Sequence, residues 1–103
     1  MVFEPIAIVG RSCLLPGASH PAELWRAVVE GQDLISQAPA GYWRVAPEVV
    51  LATGPEDADD RTWTDRGGYV TGFDLLFDPT GFAVDAEQIL PLDPLVHWVL
   101  HCA

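Results

Sequence analysis

Ile6, Ala7, Ile8 and Val9 form an unbroken apolar run between Pro5 and Gly10. A short continuous run with breakers at both ends predicts a strand covered on both faces rather than one, of the kind found inside parallel sheets. The pattern then changes period. Over 21–30, Leu24, Trp25, Val28 and Val29 fall at i, i+1, i+4 and i+5, with Ser19 and His20 at the cap, Pro21 and Glu23 in the first turn and Gly31 just past the end. These signals predict an amphipathic helix whose apolar stripe packs against the strand.

Beyond Ile35 and Ser36 the periodicity fades. Pro39, Gly41, Pro47, Gly54 and Pro55 interrupt residues 37–62, and an acidic run, EDADD, follows. The stretch reads as an excursion loop, and 49–51 or 69–70 could pair only briefly, neither being long enough to flank the first strand along its length. RGGYV suggests a tight turn into an extended piece, and FDLLFDPTGF a second loop with two aromatic anchors. Asp85 and Gln88 have capping-box spacing for a short helix ended by Pro91, and Asp93 with Pro94 starts another.

In that last helix Leu95, Val96, Trp98, Val99, Leu100 and Cys102 surround the axis, so it is expected to be buried all round, with His97 and His101 as its least buried edge. No glycine, asparagine, lysine or arginine closes it. A doubly covered strand needs parallel neighbours, and no second long apolar strand follows the 21–30 helix. The expectation is an incomplete domain, the first section of a larger one, with its remaining strands and helices supplied from elsewhere.

Composition narrows the classes. At 103 residues the chain holds at most one core and buries roughly 65% of its unfolded surface. Half of it is hydrophobic, which excludes wholesale disorder. A formal charge of −10 repels phosphate backbones and anionic lipid, so neither nucleic acid nor membrane is expected as partner. Cys13 and Cys102 are too few for a disulfide framework, and residues 1–10 lack a secretory or transit pattern, so a cytoplasmic location is expected.

Several residues invite a chemical reading. Cys13 with His20 suggests a cysteine nucleophile, but nothing in the sequence fixes the imidazole near the sulfur, and packing is the preferred role. His97 and His101, at i and i+4 beside Cys102, have a spacing used by metal sites, yet further ligands are lacking. IVGRSCLLPG has only the first glycine of a dinucleotide fingerprint, and DADDRTW lacks the glycine and closing glutamate of a calcium loop. Trp43 and Trp63 could line a glycan cleft, Trp25 and Trp98 being assigned to internal helix faces; loop anchoring is the simpler role.

EPIAIVGRSCLLPGASHPAELWRAVVEGQDLISQAP, the later TWTDRGGYV, the FDP of 77–79 and the LPLDP of 90–94 together resemble the start of β-ketoacyl synthase domains of polyketide synthases and related fatty-acid megaenzymes. The likeness spans almost the whole chain. It departs at Arg11-Ser12-Cys13-Leu14-Leu15, where the family has Met-Ala-Cys-Arg-Phe, at PTGFAV, and at Leu95-Val96-His97, where it has Gln-Gln-Arg. The later departures are closer to polyunsaturated-fatty-acid and enediyne synthases.

The resemblance implies an α/β fold of the thiolase-like type, layered αβαβα, of which residues 1–103 would be the N-terminal segment: one buried strand plus helices and long loops. It implies an acyltransferase chemistry, decarboxylative Claisen condensation, run by a homodimer on phosphopantetheine thioesters of an acyl carrier protein, with no other cofactor. The family's catalytic cysteine and two histidines match no position here, so no catalytic, cofactor or metal residue is assigned, and the chain alone is expected to be inactive. Its first partner would be the remainder of the ketosynthase domain. The alternative is a free-standing acidic interaction module that keeps the synthase's opening fold.

Overall fold

Helix α1, Pro21–Val29, begins where Pro21 presets the backbone and ends at Gly31, whose φ of 63° is left-handed. Gly31 N–H donates to Val28 O at 3.2 Å and Gln32 N–H to Ala27 O at 2.9 Å, the paired bonds that satisfy a helix's last carbonyls. At the other end the cap works backwards. His20, the residue before the helix, makes no side-chain bond, while the Glu23 carboxylate accepts from the Ser19 N–H at 2.7 Å and its hydroxyl at 2.9 Å.

The computed structural model describes residues 2–103. After α1 come β1 (Ser36–Gln37), α2 (Pro47–Val50), a 3-10 turn (Pro55–Asp57), β2 (Arg66–Gly67), α3 (Phe73–Leu76), α4 (Ala86–Ile89) and α5 (Pro94–Cys102). β1 and β2 pair antiparallel, Ser36 with Gly67 and Gln37 with Arg66, and Ala38 N–H extends the ladder to Asp65 O. The long excursion is thereby closed at its base. Within it Leu51 bridges Thr62, with Ala52 N–H donating to Thr62 O and Thr62 N–H to Val50 O, both at 2.8 Å. Leu51 thus pairs within the excursion and not with residues 6–9, and at 69–70 the Tyr69 hydroxyl donates to Asp65 O at 2.7 Å.

Gly17 shows why that position is glycine. Leu15 and Ala18 exchange backbone bonds of 2.9 and 3.0 Å across a turn in which Gly17 is left-handed, at φ 69°. A Cβ there would come within 2.9 Å of Leu34 Cδ2. The turn leads Ala18 under cover and delivers Ser19 to α1.

Among the described residues, the buried ones are Ala18, Ala27, Phe73 and Ile89. This core is small, and several expectations change with it. Residues 6–9 lie outside any strand and are exposed, Ile6 at 93% and Val9 at 98%, because nothing among the described residues pairs with them. The stripe of α1 does not pack against them: Trp25, Val28 and Val29 face outward, and Ala27 is the buried residue. FDLLF is not a loop but contains α3, whose Phe73 is buried. α4 begins after Asp85 as expected, although the Asp85 side chain makes no capping bond. α5 is capped by Asp93, which accepts from Leu95 N–H at 2.8 Å, but it is not buried all round; Leu95 and Val99 are exposed. The mean spread of the chain agrees. Its radius of gyration is 19.0 Å, against about 13 Å for a compact domain of this length.

Candidate functional site

Among the described residues, candidate side chains converge on the inner face of α5. His97 and His101, one turn apart, both point inward, where they were expected to form the helix's least buried edge. His97 stacks on Phe77 with centroids 4.7 Å apart and planes 12° from parallel, and its Nε2 lies 2.9 Å from Ile89 O. His101 sets its ring edge-on to Phe73 at 5.3 Å, and its Nε2 lies 2.9 Å from Ser19 O. Each imidazole therefore presents Nε2–H to a backbone carbonyl, a tautomer fixed by that acceptor.

Around them Phe73 meets Phe77 and Trp98, and Phe77 stacks on Phe82 at 6.3 Å. His20 joins from the start of α1, its ring 5.6 Å from that of His101. The cluster ties α5 to α3, to α4 and to the turn before α1. A further tie lies at the helix end, where the Ser12 hydroxyl donates to Cys102 O at 2.6 Å. The spacings were visible in the sequence, Phe73 with Phe77 and His97 with His101, both i and i+4. Their meeting was not, since it depends on where the intervening loop places α3.

Charge around the cluster is ordered by local bonds. The Ser19 backbone N–H and then its hydroxyl hold the Glu23 carboxyl below the usual range against the opposition of burial, with smaller contributions from nearby His20. Asp78 is likewise lowered, first by the Thr80 hydroxyl at 2.7 Å and then by the Thr80 N–H at 2.9 Å. Arg61 pairs with Asp57 at 3.3 Å and Arg66 with Asp33 at 3.6 Å; both pairs are solvated.

The structure does not assemble the reactive constellations considered from sequence. The Cys13 thiol faces Ala18 O at 3.8 Å, while His20 packs beside His101, so the two make no nucleophile pair. Cys102 is exposed and unpaired with Cys13. His97 and His101 direct Nε2 to carbonyls, and among the described residues no group of three or more His, Cys, Asp or Glu side chains is placed to hold a metal ion. Trp98 is half-buried in the cluster, but Trp25, expected inside, is 69% exposed, and Trp63 is exposed too. Trp43 stands over a shallow groove with Pro39, Arg44 and Glu48. No helix among the described residues is long and apolar enough to cross a membrane.

Comparison with known proteins places this arrangement. A family model described as "Beta-ketoacyl synthase, N-terminal domain" matches residues 3–103. Mycoketide-CoA synthase of Mycobacterium tuberculosis is 37% identical over 88% of this chain, and polyketide synthase GfsB of Streptomyces halstedii is 41% identical over 88%. The highly reducing polyketide synthase PKS6 of Gibberella zeae is 34% identical over 98%. The chain spans only 2% of each of the first two relatives and 4% of the third. Among solved structures, the PfaC keto synthase-chain length factor superposes with a TM-score of 0.75 at 33% identity, covering 92% of this chain and 10% of that one.

Proposed function

Because the chain belongs to the β-ketoacyl synthase family, as its N-terminal segment, we propose that it is the opening, incomplete section of a ketosynthase domain that extends carbon chains by decarboxylative Claisen condensation. In that reaction a cysteine thiolate displaces the carrier thiol from an acyl thioester. A malonyl thioester then loses carbon dioxide, and its enolate carbon attacks the acyl-cysteine carbonyl, releasing the thiolate and a β-ketoacyl thioester.

In this reading residues 2–103 supply scaffold, and none of Cys13, Cys102, His20, His97 or His101 takes part in the chemistry. The hydrogen bonding supports that assignment, since the Cys13 thiol faces a carbonyl and both helical histidines are spent on backbone oxygens. Acyl groups would arrive as phosphopantetheine thioesters on a carrier protein, in a cytoplasmic, homodimeric enzyme.

The observation that carries the reading is the exposure of residues 6–9 and of the α1 stripe where only four of the described residues, all apolar, are buried. A free-standing interaction module would have to shelter those side chains itself. The test joins this chain in frame to the PfaC keto synthase-chain length factor in place of the segment it matches. The chimera is expected to convert acyl- and malonyl-carrier thioesters to a β-ketoacyl product, while the isolated chain yields none and acquires no acyl group. Acylation of Cys13 or Cys102 in the isolated chain, or a folded chimera without product, would overturn the proposal.

A further inference from the structure

Between the first turn of α1 and the segment that runs into α3 lies an open cavity of about 220 Å³. Its walls are largely apolar: Leu14 and Leu15 come from the turn that precedes α1, Val70 and Leu76 from the approach to α3 and from α3 itself. A single ionisable group lines it, Glu23. That carboxylate is held in place by the protein. Ser19 donates to its Oε2 twice, from the N–H at 2.7 Å and from the hydroxyl at 2.9 Å, and leaves Oε1 unused. The same bonds keep the group ionised at neutral pH.

Among the described residues no arginine answers this charge. Arg61 and Arg66 pair with Asp57 and Asp33, no arginine lines the cavity, and the sequence holds no lysine. His20 acts on Glu23 from outside, since its ring lines a neighbouring hollow 5.6 Å from the ring of His101. The occupant that would complete the cavity is restricted by its chemistry. An anion is repelled by Glu23. A bare metal ion finds one carboxylate and no set of further ligands. A drug-sized molecule needs about 300–1,000 Å³, more than the cavity offers. A cationic head on a short apolar stem meets every wall: the carboxylate takes the head, and the leucines and valine cover the stem. An apolar slot with one carboxylate in its wall is the arrangement that selects a lysine- or arginine-like group. The formal charge of −10 draws such a group toward the chain.

We infer that the cavity between α1 and α3 is a binding site for an alkyl cation, a guanidinium or ammonium head on a short hydrocarbon stem, with Glu23 as the residue that binds the head and Ser19 as the residue that positions it. The two sources of that chemistry are an arginine side chain of a partner and a free small cation. The site is independent of the condensing reaction, and its occupancy is read without any measurement of activity.

The experiment titrates the full 103-residue chain at neutral pH with n-butylguanidinium, with its neutral analogue n-butylurea, and with the capped tripeptide Gly-Arg-Gly. NMR follows the Gly17 and Gly72 amides and the Glu23 carboxyl carbon. Both cations are expected to saturate these signals, and n-butylurea to bind at least about tenfold more weakly. Tighter binding of the tripeptide than of n-butylguanidinium assigns the source to a partner's arginine; the reverse assigns it to a free cation. Glu23→Gln, which keeps an acceptor for Ser19, should weaken both cations at least about tenfold. Glu30→Gln, which removes an equal charge at the other end of α1, should leave them unchanged. The comparison of the cation with n-butylurea needs no variant and stands even if Glu23→Gln fails to fold. Equal binding of n-butylurea, an equal loss in Glu30→Gln, or shifts spread along the chain would overturn the site, since each would mean adsorption without recognition by Glu23. A chimera with the PfaC keto synthase-chain length factor in which the same signals no longer respond would overturn it as well.

Discussion

Glu23 and Asp78 show how single hydroxyl groups set the charge of this surface. The Glu23 carboxylate is held below its ordinary value of 4.5, first by the Ser19 N–H and second by the Ser19 hydroxyl. At Asp78 the order is reversed, with the Thr80 hydroxyl ahead of the Thr80 N–H. Removing a hydroxyl should therefore have unequal effects. Ser19→Ala is expected to raise the Glu23 midpoint by the smaller share of its shift, and Thr80→Val to raise that of Asp78 by the larger share, as read by NMR titration of the carboxyl carbons. Equal recoveries would show that the hydroxyls do not carry these shares. The sign for folding follows from linkage: a depressed carboxyl favours the folded form at pH above its unfolded value, and that contribution fades as pH falls through the folded one. Because the bond spans four residues and Glu23 is only half-buried, the tie between Ser19 and Glu23 is a local fastener of α1 that loosens in acid, without governing the rest of the chain.

At the scale of elements, α5 is the piece on which the others converge, and the two histidines are its inward pegs. His97→Ala removes a stacked contact with Phe77 and the bond to Ile89 O. Together these are worth about 1–3 kcal/mol, so exchange at Val99 and Leu100 should rise roughly 5- to 150-fold if α5 opens locally. His97→Gln keeps a donor and should recover part of the loss; no recovery would assign the effect to stacking alone. The helices themselves were legible, α1 from Pro21, Glu23 and Gly31, and α5 from Asp93 and Pro94, because local caps act over a few residues. What each helix faces was not legible. The apolar residues of α5 implied burial on every side, with the histidines as its least buried edge, because hydrophobicity alone does not reveal that imidazoles will find carbonyls at Ser19 and Ile89. β1 and β2 escaped notice for a related reason: two-residue strands carry no period, and their pairing is set by a contact between residues far apart in sequence. The resemblance carried by the motifs was the more informative signal, and the family match spans residues 3–103. The departure at Leu95-Val96-His97 is where the chain places one of its two pegs.

For the whole molecule, two opposing surface properties determine how it behaves alone. Phe3, Ile6, Ile8, Val9, Trp25, Val28, Val29, Leu95 and Val99 are all more than 60% exposed, more apolar side chains than a stable monomer leaves in water without consequence. Against this, a formal charge of −10 keeps copies apart at neutral pH. The balance depends on pH, since the charge vanishes near the sequence pI of about 4.3 while the apolar surface persists. The isolated chain at pH 7 is therefore expected to bind a hydrophobic dye and to melt broadly. By solution scattering its radius of gyration should be near the observed 19.0 Å rather than the compact value of about 13 Å. Lowering the pH toward 4.3, or adding salt to screen the repulsion, should drive association visible as rising light scattering. The chimera that completes the domain should resist association under the same conditions, because its apolar surfaces are covered whatever the charge. A compact, dye-silent monomer that stays dispersed at its isoelectric point would mean that the chain shelters these side chains by itself, and that the charge has nothing to hold apart.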